Sequence, residues 1–391
     1  MPWKESCLVH ERMLFVARLE NGERMTDLCR EFGISRKTGY KIHARYKEQS
    51  VVGLYDVKRT PDRIPHRTSA AVADRIVALR NEHPTWGAKK LRAWLLDFEG
   101  PRWPAASTIS DLLKARGLLQ PRRRRHAVDP SATTLSMPAQ PNDLWCIDFK
   151  GQFRLGNGQY CYPLTVTDAH TRFLLVCEGM ERIDGERAWM ELERAFLRFG
   201  LPKAIRSDNG SPFASRGACG ISKLSAKWIG LGVRHERIEP GKPQQNGRHE
   251  RMHRTLKAET TRPAAKSMLA QQERFDGFCE IYNEQRPHEA LELTPPGRHY
   301  RPSERRYVST TRPTYPLHDD VRVVGTGGHI RFPGGRRGPP IFISTALAGL
   351  PVGVRELEAD RWLVSYAHID LGVCDLSKNV LLPIESEPLA S

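Results

Sequence analysis

No apolar run in this chain approaches the 18 or so residues that mark a membrane-spanning helix, so the sequence offers no such segment. The opening MPWKESCLVHERM is charged and carries no signal-peptide pattern, which leads to the expectation of a cytoplasmic protein. Cysteine is dispersed: the eight residues stand at 7, 29, 146, 161, 177, 219, 279 and 374, with no C-x-x-C pair and none beside histidine at zinc-ligand spacing. That argues against a zinc module. Cys146, Cys161 and Cys177 lie in apolar strand patterns and are expected as buried free thiols. Acidic charge is in deficit, 45 residues against 61 Lys and Arg, for a net charge of +16. A polyanionic partner follows, most simply nucleic acid; without an apolar segment, no membrane partner is expected.

At 391 residues the chain should hold more than one domain. Residues 1–60 are expected to be helical, with a first helix from about Glu5 to Glu20 that ends at Asn21-Gly22. RMTDLCREFGISRKTGYKIHARYKEQ then reads as helix, turn, helix, with Thr26 expected as the first cap, Gly33 as the turn and Ser35 as the second cap. Arg36, Lys37 and Thr38 would open the second helix, where basic and hydroxyl side chains suit the major groove. A helical hairpin with a solvated basic face is the plainer alternative.

Residues 61–126 repeat the theme. AVADRIVALRNEH and AKKLRAWLLDF are expected as helices, and STISDLLKARG as a third, with Ser107 as its cap and Gly117 as its stop. Leu91, Trp94, Leu95, Ile109, Leu112 and Leu113 should form its core, and Trp86 and Trp94 are assigned to packing rather than to base stacking. Lys89 and Lys90 at the start of AKKLRAW are the candidate DNA contacts here. The run Arg122, Arg123, Arg124, Arg125 could lie along phosphates, and a polar linker over 127–141 follows it.

Residues 142–300 show strand patterns near 143–153, 160–168 and 172–180, then alternating helix and strand. In the first, Leu144 and Cys146 share a face with Asp148, and Trp145, Ile147 and Phe149 line the other; both look buried, as in a central strand. Residues 310–391 read as short β runs between Gly-rich turns, the pattern of a small β-barrel.

Three acids stand in distinctive contexts: Asp148 in WCIDFKG, Asp208 in IRSDNGSPF and Glu250 in PGKPQQNGRHERMHRTLK. Each has a bland reading: a solvated strand-end carboxylate, a turn residue, a surface helix acid. Asp143 and Asp168 compete for the first role, and Glu236, Glu239 and Glu259 for the third, although these last lack the preceding PQQNG. Arg254 and Lys257 fall four and seven residues after Glu250, on the same helical face.

The order and context of these acids resemble the DDE triad of integrase-core transposases and retroviral integrases. PGKPQQNG before the third acid and YNEQRPHEALELTPP at 282–296 are similar to the insertion-sequence branch with N-terminal helix-turn-helix domains. The resemblance covers nearly the whole chain. Two departures stand out: 41 residues separate Asp208 from Glu250, more than in the retroviral pattern, and the retroviral His/Cys zinc module is missing.

The resemblance implies a ribonuclease-H-like α/β core between tandem helix-turn-helix domains and the C-terminal β region. It implies DNA cleavage at element ends and transfer of the freed 3′-OH to target DNA. The catalytic and metal-holding residues would be Asp148, Asp208 and Glu250, with two Mg²⁺ ions, for which Mn²⁺ can substitute; such ions take oxygen ligands and need no nitrogen or sulfur. Gln244 and Asn246 would contact DNA near the site, and Arg254 and Lys257 would hold phosphates. Partners would be double-stranded DNA (terminal inverted repeats and target) and further copies of the chain in a synaptic complex, at the bacterial nucleoid. The β region would bind DNA or pack between subunits. Two other functions remain open on sequence: a non-catalytic DNA-binding regulator descended from a transposase, and a metal-dependent nuclease that cuts without joining.

Overall fold

Local capping and a few apolar side chains set the N-terminal helices. The computed structural model describes residues 8–56, 68–119, 135–215, 217–239, 242–332, 339–358 and 360–384. The chain divides into two compact units, Met1–Thr68 and Ser69–Ser391.

In the first unit, α1 (Leu8–Glu20), α2 (Met25–Glu31) and α3 (Arg36–Gln49) bury Phe15, Val16, Leu28, Cys29 and Leu54 together. Gly33 ends α2 at φ +63°, as expected. Ser35 caps α3, its Oγ accepting the Thr38 N–H at 3.2 Å. Thr26 is not the cap of α2: the helix begins one residue earlier, after Arg24, which makes no side-chain cap bond. Met25 packs into the small core and its Sδ lies 3.6 Å from Cys29 Sγ, which draws that residue into the first turn.

The second unit opens with α4 (Ala70–Glu82), α5 (Ala88–Phe98) and α6 (Ala106–Ala115). Ile76, Leu79, Trp86, Leu91, Leu95, Ile109 and Leu113 are fully buried among them, with Trp94 and Leu112 partly buried against the cluster. Ser107 is not a cap. The α6 helix starts at Ala106, because Ala105 takes the extended cap conformation just after Pro104, whose carbonyl is held by Arg92 Nε at 3.0 Å. Gly117 does close the helix, at φ +70°.

The central sheet comprises β1 (Leu144–Phe149), β2 (Phe153–Arg154), β3 (Tyr160–Asp168), β4 (Leu174–Met180), β5 (Ala204–Ser207) and β6 (Arg234–Arg237). Antiparallel β4-β3-β1 continues into parallel β5 and β6, with the short β2 on the leading end of β3. This is the ribonuclease-H-like order. Helix α7 (Gly185–Phe199), capped by Asp184, and α8 (Lys223–Gly230), capped by Ser222, share one core cluster with Trp145, Ile147, Leu164, Val166 and Ile205. Helices α9 (Gly247–Thr260) and α10 (Met268–Glu280) pack Met252, Leu256, Phe275 and Phe278 against Cys161, Leu174 and Cys177. Strand β1 is therefore central and covered on both faces, as its apolar pattern predicts.

The α4–α6 module rests on the end of this core. Arg298 reaches both carboxylate oxygens of Asp97 at 2.6 Å. Arg286, almost fully buried, pairs with Glu259 at 2.5 Å and lies 5.9 Å from the Trp86 ring centroid.

At the C-terminal end, β7 (Asp320–Val323), β10 (Pro351–Glu358), β11 (Arg361–Tyr366), β12 (Ile369–Asp375) and β13 (Val380–Leu382) form an antiparallel sheet in the order β13-β12-β11-β10-β7. A separate ribbon pairs β8 (His329–Ile330) with β9 (Ile341–Phe342). The expected closed barrel is not seen: among the described residues no ladder joins β7 to β13. The physical reason is that the inner face has another partner. Val352, Val354, Val364 and Tyr366 merge with the cluster around α8, and the Tyr366 hydroxyl donates to the Ala226 carbonyl at 2.9 Å.

Among the described residues no helix is long and apolar enough to cross a membrane. Their seven cysteines are free, and Cys146, Cys161 and Cys177 are buried, as expected.

Candidate active site

The site forms where the central strands end. Asp148 is the fifth residue of β1, paired across the antiparallel ladder with Thr165 of β3. Asp208 directly follows β5, which runs parallel to β1, so the two acids leave adjacent strands at the same edge. A Gly turn follows, and the Gly210 N–H donates to Asp208 Oδ1 at 3.1 Å. Glu250 lies in the first turn of α9 and is exposed.

The Asp148 side chain is 23% exposed, and its carboxyl is pushed up to about 7. Burial is the main cause; the negative charge of Asp208 comes next, and that of Glu250 adds to it, against the Phe149 N–H and Lys150. Asp208 and Glu250 thus both lie within electrostatic reach of Asp148. Among the described residues neither Asp208 nor Glu250 has an ion-pair partner.

The competing acids are differently placed. Asp143 pairs with Lys203 at 2.8 Å and accepts the Ala139 and Gln140 N–H groups. Asp168 is fully buried and holds a turn, accepting from the Asn142 N–H and from both the N–H and hydroxyl of Thr171. Glu236 pairs with Arg206 at 3.0 Å, Glu239 with Lys242 at 2.5 Å and Glu259 with Arg286 at 2.5 Å. Each of these three has its own base.

Sequence reasoning missed the groups behind Asp148. His249 and His253, on the buried side of α9, pack with ring centroids 4.5 Å apart. Their Nε2 atoms lie 2.8 and 2.6 Å from Thr165 Oγ1, and His249 Nδ1 lies 2.7 Å from Thr167 Oγ1. Burial drives His249 down to about 3 and His253 down to about 2, so both rings are neutral at ordinary pH. A ligand atom from each of Asp148, His249 and His253 lies within 4.8 Å of the others. The i,i+4 spacing of the two histidines, flanking the apolar Met252, was the available signal.

The expected DNA contacts divide into several groups. Arg36, Lys37 and Thr38 are all exposed in the first turn of α3. Lys89 is exposed at the start of α5, but Lys90 is turned partly inward and pushed down to about 8, first by burial and then by Arg286. Arg254 and Lys257 are exposed on the Glu250 face of α9. Gln244 lies in the short turn Pro243–Asn246, with its side chain outside the described residues. Asn246 is buried, with an Oδ1 that has no partner among the described residues. Arg122, Arg123, Arg124 and Arg125 lie outside the described residues.

Residues 138–243 and 231–296 match the integrase core domain family. Residues 11–62 match a helix-turn-helix domain and 38–113 a homeodomain-like domain. An uncharacterized protein of insertion element IS407 from Burkholderia multivorans is 31% identical over 276 residues, covering 68% of this chain and 87% of that protein. A counterpart from insertion element IS476 of Xanthomonas euvesicatoria is 29% identical, covering 60% of this chain and 65% of that one. Among solved structures, the HTLV-2 integrase catalytic core domain in complex with magnesium aligns with a TM-score of 0.34 and 12% identity, over 42% of this chain and 99% of that one.

Proposed function

The chain belongs to the integrase-core family of insertion-element transposases and retroviral integrases, and on that footing we propose that it cuts DNA at the ends of its own element and joins the freed 3′-OH to target DNA. The observation that carries this reading is that Asp208 and Glu250, which have no ion-pair partner among the described residues, both act on the charge of the buried Asp148. A buried carboxylate whose proton affinity is raised by burial and by two neighbouring acids is a site that a cation relieves.

Integrase cores typically use divalent metal ions, and the carboxylates here fit a hard cation, with Mg²⁺ expected and Mn²⁺ able to substitute. Asp148, Asp208 and Glu250 would hold two such ions. Bound there, the ions would supply Lewis acidity at the attacking and leaving oxygens of an in-line displacement. The protein's own part is orientation. Strand β1 presents Asp148 from a rigid central position, the Gly210 N–H steadies Asp208, and α9 carries Glu250 with Arg254 and Lys257 one and two turns on, to grip phosphates. In the first displacement a water oxygen bonds to phosphorus and the 3′ oxygen leaves. In the second, that 3′-OH attacks a target phosphorus and the target's 3′ oxygen leaves, with no covalent protein–DNA bond.

In this reading residues 1–60, through Arg36, Lys37 and Thr38, and residues 61–126, through Lys89, Lys90 and Arg122 to Arg125, recognise the terminal repeats. Residues 142–300 catalyse, the linker 127–141 joins them, and 310–391 form the β-rich domain. Gln244 would approach the DNA beside the site, and Asn246 would reach it only if the 243–246 turn opened. Two ends must be brought together, so a homo-oligomer is proposed, acting at the bacterial nucleoid.

The test is to incubate the purified protein with DNA spanning its own gene and flanks, with Mg²⁺ or Mn²⁺, and to map 3′-OH ends and joined products. Metal-dependent cuts at fixed flanking positions, and joined products, are expected. Asp208→Asn should abolish both and retain end binding, because it keeps size but removes charge. Equal loss of binding and cutting in a folded variant would overturn this division of labour; cutting without joining would favour a nuclease.

A further inference from the structure

We infer that the cation held at Asp148 takes a nitrogen donor from His253, so that this centre favours Zn²⁺ and Mn²⁺ over Mg²⁺ more than a carboxylate-only site would. The inference rests on the carboxylate reading above.

The Thr165 hydroxyl has one proton to place among three neighbours. It lies 3.2 Å from the Asp148 carbonyl, to which it donates, 2.8 Å from His249 Nε2 and 2.6 Å from His253 Nε2. A hydroxyl has one proton and two lone pairs. With the proton on the carbonyl, both lone pairs are left to accept, and both imidazoles must donate from Nε2. That choice fixes the tautomer of each ring, inferred here from its partners. His249 then has Nδ1 as an acceptor, filled by the Thr167 hydroxyl at 2.7 Å.

His253 is different. Its Nδ1 faces Asp148 Oδ2 at 3.7 Å, beyond hydrogen-bond distance. With Asp148 ionised both atoms bear lone pairs, and a cation between them would resolve their approach. Bonds of about 2.1 Å to each would close a 3.7 Å separation at an angle of about 120°. That is nearer the tetrahedral preference of Zn²⁺ than the octahedral one of Mg²⁺. Imidazole also suits zinc and other transition ions better than magnesium. His253 is only 5% exposed and is fixed by Thr165, so little ordering remains to be done on binding. Thr165 is the outer partner that such a ligand needs.

The experiment uses metal-free full-length protein loaded with Mn²⁺ and read by pulsed EPR, which detects nitrogen bound to the ion. Competition with a chromophoric chelator gives Zn²⁺ and Mg²⁺ affinities in parallel. Wild type should show nitrogen modulation, and His253→Asn should lose it, with Zn²⁺ affinity down at least about tenfold and Mg²⁺ affinity unchanged. Thr165→Val keeps the ring but frees its tautomer, and should weaken Zn²⁺ by about tenfold. Mn²⁺ bound to wild type without nitrogen modulation would overturn the inference and leave the carboxylate reading standing. So would modulation that persists in His253→Asn, or an equal loss of both ions there, which would make the ring a positioning group. If Asp148→Asn and Asp208→Asn leave Mn²⁺ binding unchanged, the carboxylate reading fails together with this one.

Discussion

Gly39→Ala should loosen the N-terminal helix pair without altering any residue on its exposed basic face. Gly39 lies buried on the inner side of α3. A Cβ there would sit 2.6 Å from Cys29 Sγ, 2.8 Å from Met25 Sδ and 3.1 Å from Phe15 Cζ. The Met25 side chain can rotate away. Cys29 has a single torsion and is 3% exposed, so relief requires α2 and α3 to part. Overpacking of this kind costs about 1–3 kcal/mol. Alanine returns about 1 kcal/mol of helix propensity, because Gly39 has ordinary helical backbone. The net expectation is a loss of about 1 kcal/mol, or about 4–8 °C in a unit this small. Faster hydrogen exchange at the amides of α2 and α3 in the full chain reads it directly, and weaker binding to element-end DNA should accompany it. Combining Gly39→Ala with Cys29→Ala moves volume across the contact and should recover much of the loss, giving a favourable coupling between the two sites. Unchanged exchange in Gly39→Ala, or strict additivity in the pair, would refute the close-approach argument.

Arg286→Ala should destabilise the second unit by about 3 kcal/mol, because it strands a half-buried Glu259 and removes the cation above Trp86; a urea titration showing less than about 1 kcal/mol would contradict this. His235, packed edge-on to Trp228 and hydrogen-bonded to Ser207, is pushed down to about 4 by burial and then by Arg237. Its folded pKa lies below the unfolded one, so its contribution is complete above about pH 6.5 and is lost as pH falls toward 4, up to about 3 kcal/mol. Urea midpoints across that range should fall less steeply for His235→Gln than for wild type, and parallel curves would exclude the effect. Arg36→Ala and Lys37→Ala should each lower the salt dependence of DNA binding by about one unit of slope if they meet phosphates; an unchanged slope would remove them from the interface.

Local chemistry was legible in the sequence wherever partners lie within a few residues. Ser35 caps α3 because Thr38 is three residues away, Gly33 and Gly117 end helices because only glycine enters the left-handed region at no cost, and apolar residues on both faces of Leu144–Phe149 announced a strand covered on both sides. Asp148, Asp208 and Glu250 could be singled out because their flanking motifs are local too. Caps failed where tertiary packing intervened, at Thr26 through Met25 and at Ser107 through Pro104.

The remaining decisions needed the tertiary structure, because they depend on which side chains meet across long separations. Which acids keep their charge unpaired is one: Glu236, Glu239 and Glu259 are matched by Arg206, Lys242 and Arg286, while Glu250, within electrostatic reach of Asp148, has no ion-pair partner among the described residues. The inner face of the C-terminal sheet is another, settled by Tyr366 and its neighbours reaching α8. The last is the Thr165 hydroxyl meeting two rings more than 80 positions away, 84 to His249 and 88 to His253. Sequence by itself determined the local elements and the candidate acids; only the folded chain decided which charges are neutralised, because Coulomb energy and desolvation depend on distance and burial rather than on order along the chain.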